Sequence, residues 1–101
     1  MGLREEYSFE HLVNESENLV IDEMERQLAL KKNESNCRCE DCVLDIAAFS
    51  LNSLMPLYRV SLMGTMYAKN APHTPYADEV KAAVAAAIVK VRANPAHLSG
   101  Q

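Results

Sequence analysis

The chain has 101 residues, 49% hydrophobic and 24% charged, with three cysteines and a formal net charge of −4. That length allows one domain, residues 1–101, and a chain of this size buries roughly two thirds of its unfolded surface, so its core is small. The apolar content is too high and the net charge too low for a disordered chain. The longest apolar run, Ala82–Val89, is far shorter than the ~20 residues of a spanning helix, so no membrane insertion is expected. The acidic opening MGLREEYSFE lacks the apolar stretch of a secretory signal, and a cytoplasmic protein is expected. Charge is uneven along the chain. Residues 1–26 hold eight acids and two bases, a net of −6; residues 27–57 come to −1 and residues 58–101 to +3. This balance argues against direct DNA binding, and it directs an anionic partner to the second half.

In chain order, residues 1–7 are expected to be a flexible end. Residues 8–32 read as one long helix: Phe9, Leu12, Val13, Ser16, Leu19, Val20, Met24 and Leu28 recur at three- and four-residue steps. Ser8 is its expected N-cap, Glu10 suits the first turn, and Lys31 and Lys32 suit the last. A helix that long with one narrow stripe must bury it on the rest of the domain or on a second copy. KKNESN, residues 31–36, is a polar loop. A second helix is expected over about Glu40 to Asn52, from Val43, Ile46, Ala47, Phe49 and Ser50, and Pro56 stops the chain beyond it. Tyr58, Val60 and Leu62 alternate with Arg59 and Ser61, which predicts a short hairpin returning over 65–69 through Gly64. Thr74–Pro75 starts a last helix over about Tyr76 to Ala93, with the stripe Val80, Ala83, Val84, Ala87, Ile88 and Val91. Residues 98–101 are expected to be a second flexible end. The methionines, Met24 and Met55 among them, are expected to fill gaps in the core or in a dimer surface.

The cysteines all fall in CysArgCysGluAspCys, residues 37–42. An odd, clustered set in a reducing compartment points to metal ligands and not to disulfides. Thiolates spaced by two and three residues, on a loop entering a helix, can converge on one tetrahedral ion, and the helix dipole favours the thiolate. Arg38, Glu40 and Asp41 between them make the segment too polar for a core run. Zinc is the ion expected of Cys37, Cys39 and Cys42, because it is redox-silent and binds thiolates well. The fourth ligand is open among Asp45, His73, His97, a backbone donor and water. A structural ion is favoured over a catalytic one, since no general base or shaped pocket accompanies it. The sequence holds no HExxH motif, no phosphate-binding glycine loop and no Ser–His–acid spacing.

The hairpin is a second candidate site. With Tyr58, Val60 and Leu62 inward, Arg59 faces out beside Tyr67 and Lys69 on the return strand. These three would form a basic, stacking surface for a nucleotide: Arg supplies a fork for phosphate and Tyr a face for a base.

CRCEDCVLDIAAFSLNSLMPLY (37–58), MYAK (66–69) and VRANPAH (91–97) together resemble the bacterial late competence protein ComFB family, over roughly residues 9–98. The resemblance implies a mainly α, zinc-stabilised domain of about three main helices with a short hairpin or strand pair. It also implies a symmetric homodimer in which Cys37, Cys39 and Cys42 hold a structural zinc. It further implies a non-enzymatic cyclic dinucleotide receptor, for cyclic di-GMP or cyclic di-AMP, acting in signalling such as motility or competence through an unknown downstream protein. Arg59, Tyr67 and Lys69 remain a physical reading of the ligand surface. One alternative is a protein–protein adaptor using the acidic first helix through Glu15 and Glu17. Another is a small metalloenzyme with an open zinc position.

Overall fold

A computed structural model describes residues 2–60 and 75–95. Among them are four helices and one two-stranded antiparallel sheet: α1 (Leu3–Glu6), β1 (Val13–Asn14), α2 (Ser16–Leu28), α3 (Glu40–Asn52), β2 (Tyr58–Arg59) and α4 (Pro75–Ala93). Single 3-10 turns lie at Phe9–His11 and Lys31–Asn33. The mainly helical class and the three main helices stand as expected.

The three long helices pack against one another, and the core lies between them. Val20, Met24 and Leu28 come from α2, Cys42 and Ile46 from α3, and Val80, Val84, Ala87, Ile88 and Val91 from α4. Each set follows helical spacing, so each helix turns one stripe inward and leaves its charges outside. The α4 stripe is the expected one, although Ala83 is only half-buried. α3 has the expected bounds. Its buried Ser50 donates to the carbonyl of Ile46 at 2.8 Å, which satisfies a hydroxyl that is fully enclosed. Lys90 of α4 places its ammonium 4.3 Å from the centre of the Phe49 ring on α3. Met24 is buried, but Met55 is 74% exposed and fills no gap in this chain.

The first segment differs from its expectation. The pattern over 8–32 does not make one helix: α1, a 3-10 turn and β1 precede α2, which begins only at Ser16. Ser8 makes no capping hydrogen bond with its side chain. Asn14 decides the break. Its Oδ1 accepts from the backbone N–H of Ser16 at 3.2 Å, from the Ser16 hydroxyl and from the N–H of Leu57 at 2.8 Å. A side chain bonded to backbone in this way competes with helix continuation. Val13 and Asn14 pair instead with Arg59 and Tyr58, and Glu15 N–H donates to the Leu57 carbonyl at 2.8 Å. Upstream, Phe9 and Leu12 are about half exposed, while Val20, Met24 and Leu28 are buried by α3 and α4 of the same chain. The long stripe is therefore no argument for a second copy.

The observed strand partner of 58–59 is 13–14, distant in sequence. The expected return strand at 65–69 lies outside the described residues. The expected phase of β2 is reversed: Tyr58 and Val60 are exposed and Arg59 is half-buried. The reason is an ion pair. Arg59 Nε donates to Glu15 Oε1 at 2.6 Å, and the two side chains are 23% and 13% exposed. This pair turns the guanidinium toward α2 and leaves Tyr58 facing out.

Candidate metal centre

The loop after α2 carries the thiols back to the start of α3. The Lys31–Asn33 turn begins this return, and Asn36 N–H donates to the Asn33 carbonyl at 3.0 Å. Cys39 is the N-cap of α3: its backbone is extended and its sulfur accepts from Cys42 N–H at 3.4 Å. The N–H of Cys42, free of any intrahelical acceptor in the first turn, thus finds its acceptor in the second sulfur. The fold therefore uses one residue both as cap and as candidate ligand.

The ligand sulfurs of Cys37, Cys39 and Cys42 all lie within 4.8 Å of one another. Tetrahedral zinc with Zn–S near 2.3 Å sets its sulfurs about 3.8 Å apart, so the three need only a small closure to share one ion. Cys42 is buried in the core, whereas Cys37 and Cys39 are exposed. The thiol of Cys37 is held below its ordinary pKa, first by the backbone N–H of Cys39 and then by the Cys39 side chain. The donor set thus fits a thiophilic divalent ion. Among the described residues, no carboxylate or imidazole joins the sulfurs within that distance, and Asp45 is not one of the converging donors. His73 and His97 lie outside the described residues.

The surroundings tie the loop to two helices. Arg38, between the first two thiols, donates from Nη2 to the carbonyl of Leu28 at the end of α2. Arg92, near the end of α4, donates from Nη2 to Asn33 Oδ1 and to Asn36 Oδ1, both at 2.7 Å, and from Nε to Asn36 Oδ1 at 3.0 Å. Asn33 donates onward to the Gln27 carbonyl at 2.8 Å, and the Gln27 amide donates to the Lys81 carbonyl at 3.0 Å. Asn33, Asn36 and Gln27 are all buried, and no buried side-chain polar atom among the described residues lacks a partner. Arg92, Asn33 and Asn36 were not among the residues expected at this site, and the fold brings them to it. Two asparagines in a polar loop look like solvated turn residues, and their one available signal was their three-residue spacing beside the thiols.

Of the proposed nucleotide surface, only Arg59 is described, and its guanidinium lies against Glu15. Tyr67 and Lys69 lie outside the described residues. The sheet corner and the thiol loop are therefore two separate features of the described fold.

No helix among the described residues is long and apolar enough to cross a membrane. No curated protein matches the sequence. Among solved structures, the late competence protein ComFB from Bacillus subtilis is similar, with a TM-score of 0.67 and 25% identity, covering 87% of this chain and 98% of that one. The profile of the family described as late competence development protein ComFB matches residues 13–95. That span opens on β1 and includes the three thiols, both strands and the three long helices, so the chain belongs to the late competence development protein ComFB family.

Proposed function

We propose that the protein is a non-enzymatic regulatory module in which Cys37, Cys39 and Cys42 hold a structural zinc ion. The observation that carries this is the convergence of three sulfurs, one of them a core residue, on a loop bonded to the ends of two helices. A bound zinc would supply a common centre for three thiolates, and its binding energy would become folding energy. The expected result is about one zinc per chain by elemental analysis. Its complete removal by a chelator with no change in unfolding temperature would overturn the structural role.

In the same reading the module is a homodimer that receives a cyclic dinucleotide and passes the signal to a protein partner. Two observations favour this. The chain from residue 58 onward is net basic, which suits two phosphates. An apolar groove of about 520 Å³ between α2 and α3 leaves Ile21 and Leu44 exposed, which suits a second copy. Arg59, Tyr67 and Lys69 form the proposed ligand surface, and a phosphate reaching Arg59 would take over the place of the Glu15 carboxylate. Calorimetry on zinc-loaded protein should give saturable binding of cyclic di-GMP or cyclic di-AMP, weakened by Arg59→Ala. No heat with either at high micromolar concentration would overturn the receptor reading and leave the adaptor. The adaptor reading draws on Glu17, Asp22 and Glu25, which are exposed on α2. Glu15, paired with Arg59, belongs to the sheet corner and not to that acidic face.

A further inference from the structure

We infer that Arg92 is a positioning residue of the thiol centre: it fixes the segment that presents Cys37 and supplies the positive charge that a three-thiolate site requires. The inference rests on the proposed metal role of the three thiols.

Cys37 is one of the two exposed thiols, and within the cluster it is bonded to the Cys39 backbone N–H and to the Cys39 and Cys42 side chains. The residue before it, Asn36, is buried, and Arg92 holds its side chain through two donors on one oxygen. The same Nη2 also reaches Asn33. A guanidinium can fork over both amides at once because its donors are planar and rigidly spaced. The loop from 33 to 36 is thereby pinned to α4, and Cys37 must leave it from a fixed point.

Asn36, Cys37, Cys42, Val91 and Arg92 help to line one cavity of about 170 Å³. A divalent ion with three thiolates carries a net charge of −1, and such a centre is costly in a small, partly enclosed space without a cation nearby. Arg92 brings a guanidinium cation to the lining of that cavity. Groups of this kind, which orient ligands without touching the metal, commonly change metal affinity by about 10–100-fold when removed.

The test compares zinc release to a chromogenic chelator in the full-length chain. Arg92→Gln should release zinc about tenfold faster than the parent protein, with Arg92→Lys in between because it keeps the charge and loses the fork. The cobalt(II) form of Arg92→Gln should also show an altered thiolate-to-metal charge-transfer band. Val84→Ala, in the core and away from the loop, serves as the control for general destabilisation. Release from Arg92→Gln no faster than from Val84→Ala, with an unchanged cobalt band, would overturn the inference. If Arg92→Gln does not fold, Asn36→Ala decides the same question, because it removes the shared acceptor and leaves the cation; release at the control rate would again overturn it. A parent protein that binds neither zinc nor cobalt would instead overturn the metal reading itself.

Discussion

The thiol loop and the sheet corner solve one problem in two ways. Each must hold an irregular segment against helices in a domain with a small core. The sheet corner closes with groups the chain already contains: Asn14 Oδ1 accepts from Leu57 N–H, Glu15 pairs with Arg59, and two strand residues complete the joint. The thiol loop is braced from two helices and also gathers three sulfurs. Arg38 and Arg92 tie it to Leu28 and to the two asparagines, and three sulfurs within 4.8 Å of one another make a donor set that could hold one ion. Hydrogen bonds and one ion pair fix the two-residue strand pair, whereas three gathered thiols, once ionised, would repel one another without a shared cation. Stability should therefore depend on metal at one corner and not at the other.

The largest expected effect breaks the thiol corner. Cys42→Ser should abolish stoichiometric zinc and lower the unfolding temperature by about 10 °C or more, equivalent to about 2 kcal/mol or more for a domain of this size. Elemental analysis and thermal unfolding check both parts, and a chelator should reproduce the shift in the parent protein. At the sheet corner, Asn14→Ala should cost about 1–3 kcal/mol, since it leaves the Leu57 and Ser16 donors without their acceptor. Urea unfolding measures it, and added chelator should leave that increment unchanged. Arg59→Ala should cost about 1–2 kcal/mol through the loss of a partly buried charged hydrogen bond. Its increment should also be weakly sensitive to salt, because the pair is mostly shielded from solvent.

The smallest expected effect lies outside both corners and calibrates them. Arg26, by hydrogen bond and charge, together with Gln27, holds the Glu23 carboxyl below its ordinary pKa against an opposing effect of burial. A lowered carboxylate pKa gives stability that is complete above about pH 4.3, the ordinary Glu value, and is lost as pH falls through the folded value. Thermal unfolding of the parent protein and of Glu23→Gln should therefore converge as pH is lowered below about 4.3. The difference between them should be small at neutral pH, because Arg26 is exposed.

Local pattern was enough wherever one physical cause acted alone. α3 could be read because Cys39 caps it, acids fill its first turn and its apolar residues keep one period. α4 could be read because a proline begins it and Val80, Val84, Ile88 and Val91 keep one face. The thiols could be read because only a few chemistries use cysteines at that spacing. The reading failed where local preference met a distant partner. Residues 9–28 have helical periodicity, yet Asn14 is worth more to the chain as an acceptor for Leu57 than as a helix residue. Arg59 alternates like an outward strand residue, yet Glu15 from a remote segment draws it in.

The class of fold, two of the three long helices and the three metal-type donors follow from local pattern, because helix periodicity and cysteine spacing are short-range properties. Long-range packing sets where α2 begins, which strand pairs with Tyr58–Arg59, and that Arg92, Asn33 and Asn36 brace the thiol loop. These last contacts span more than fifty residues between Arg92 and the loop. A hydrogen bond across that distance leaves no period in the sequence; it exists only once α2 and α4 have packed and brought their ends together.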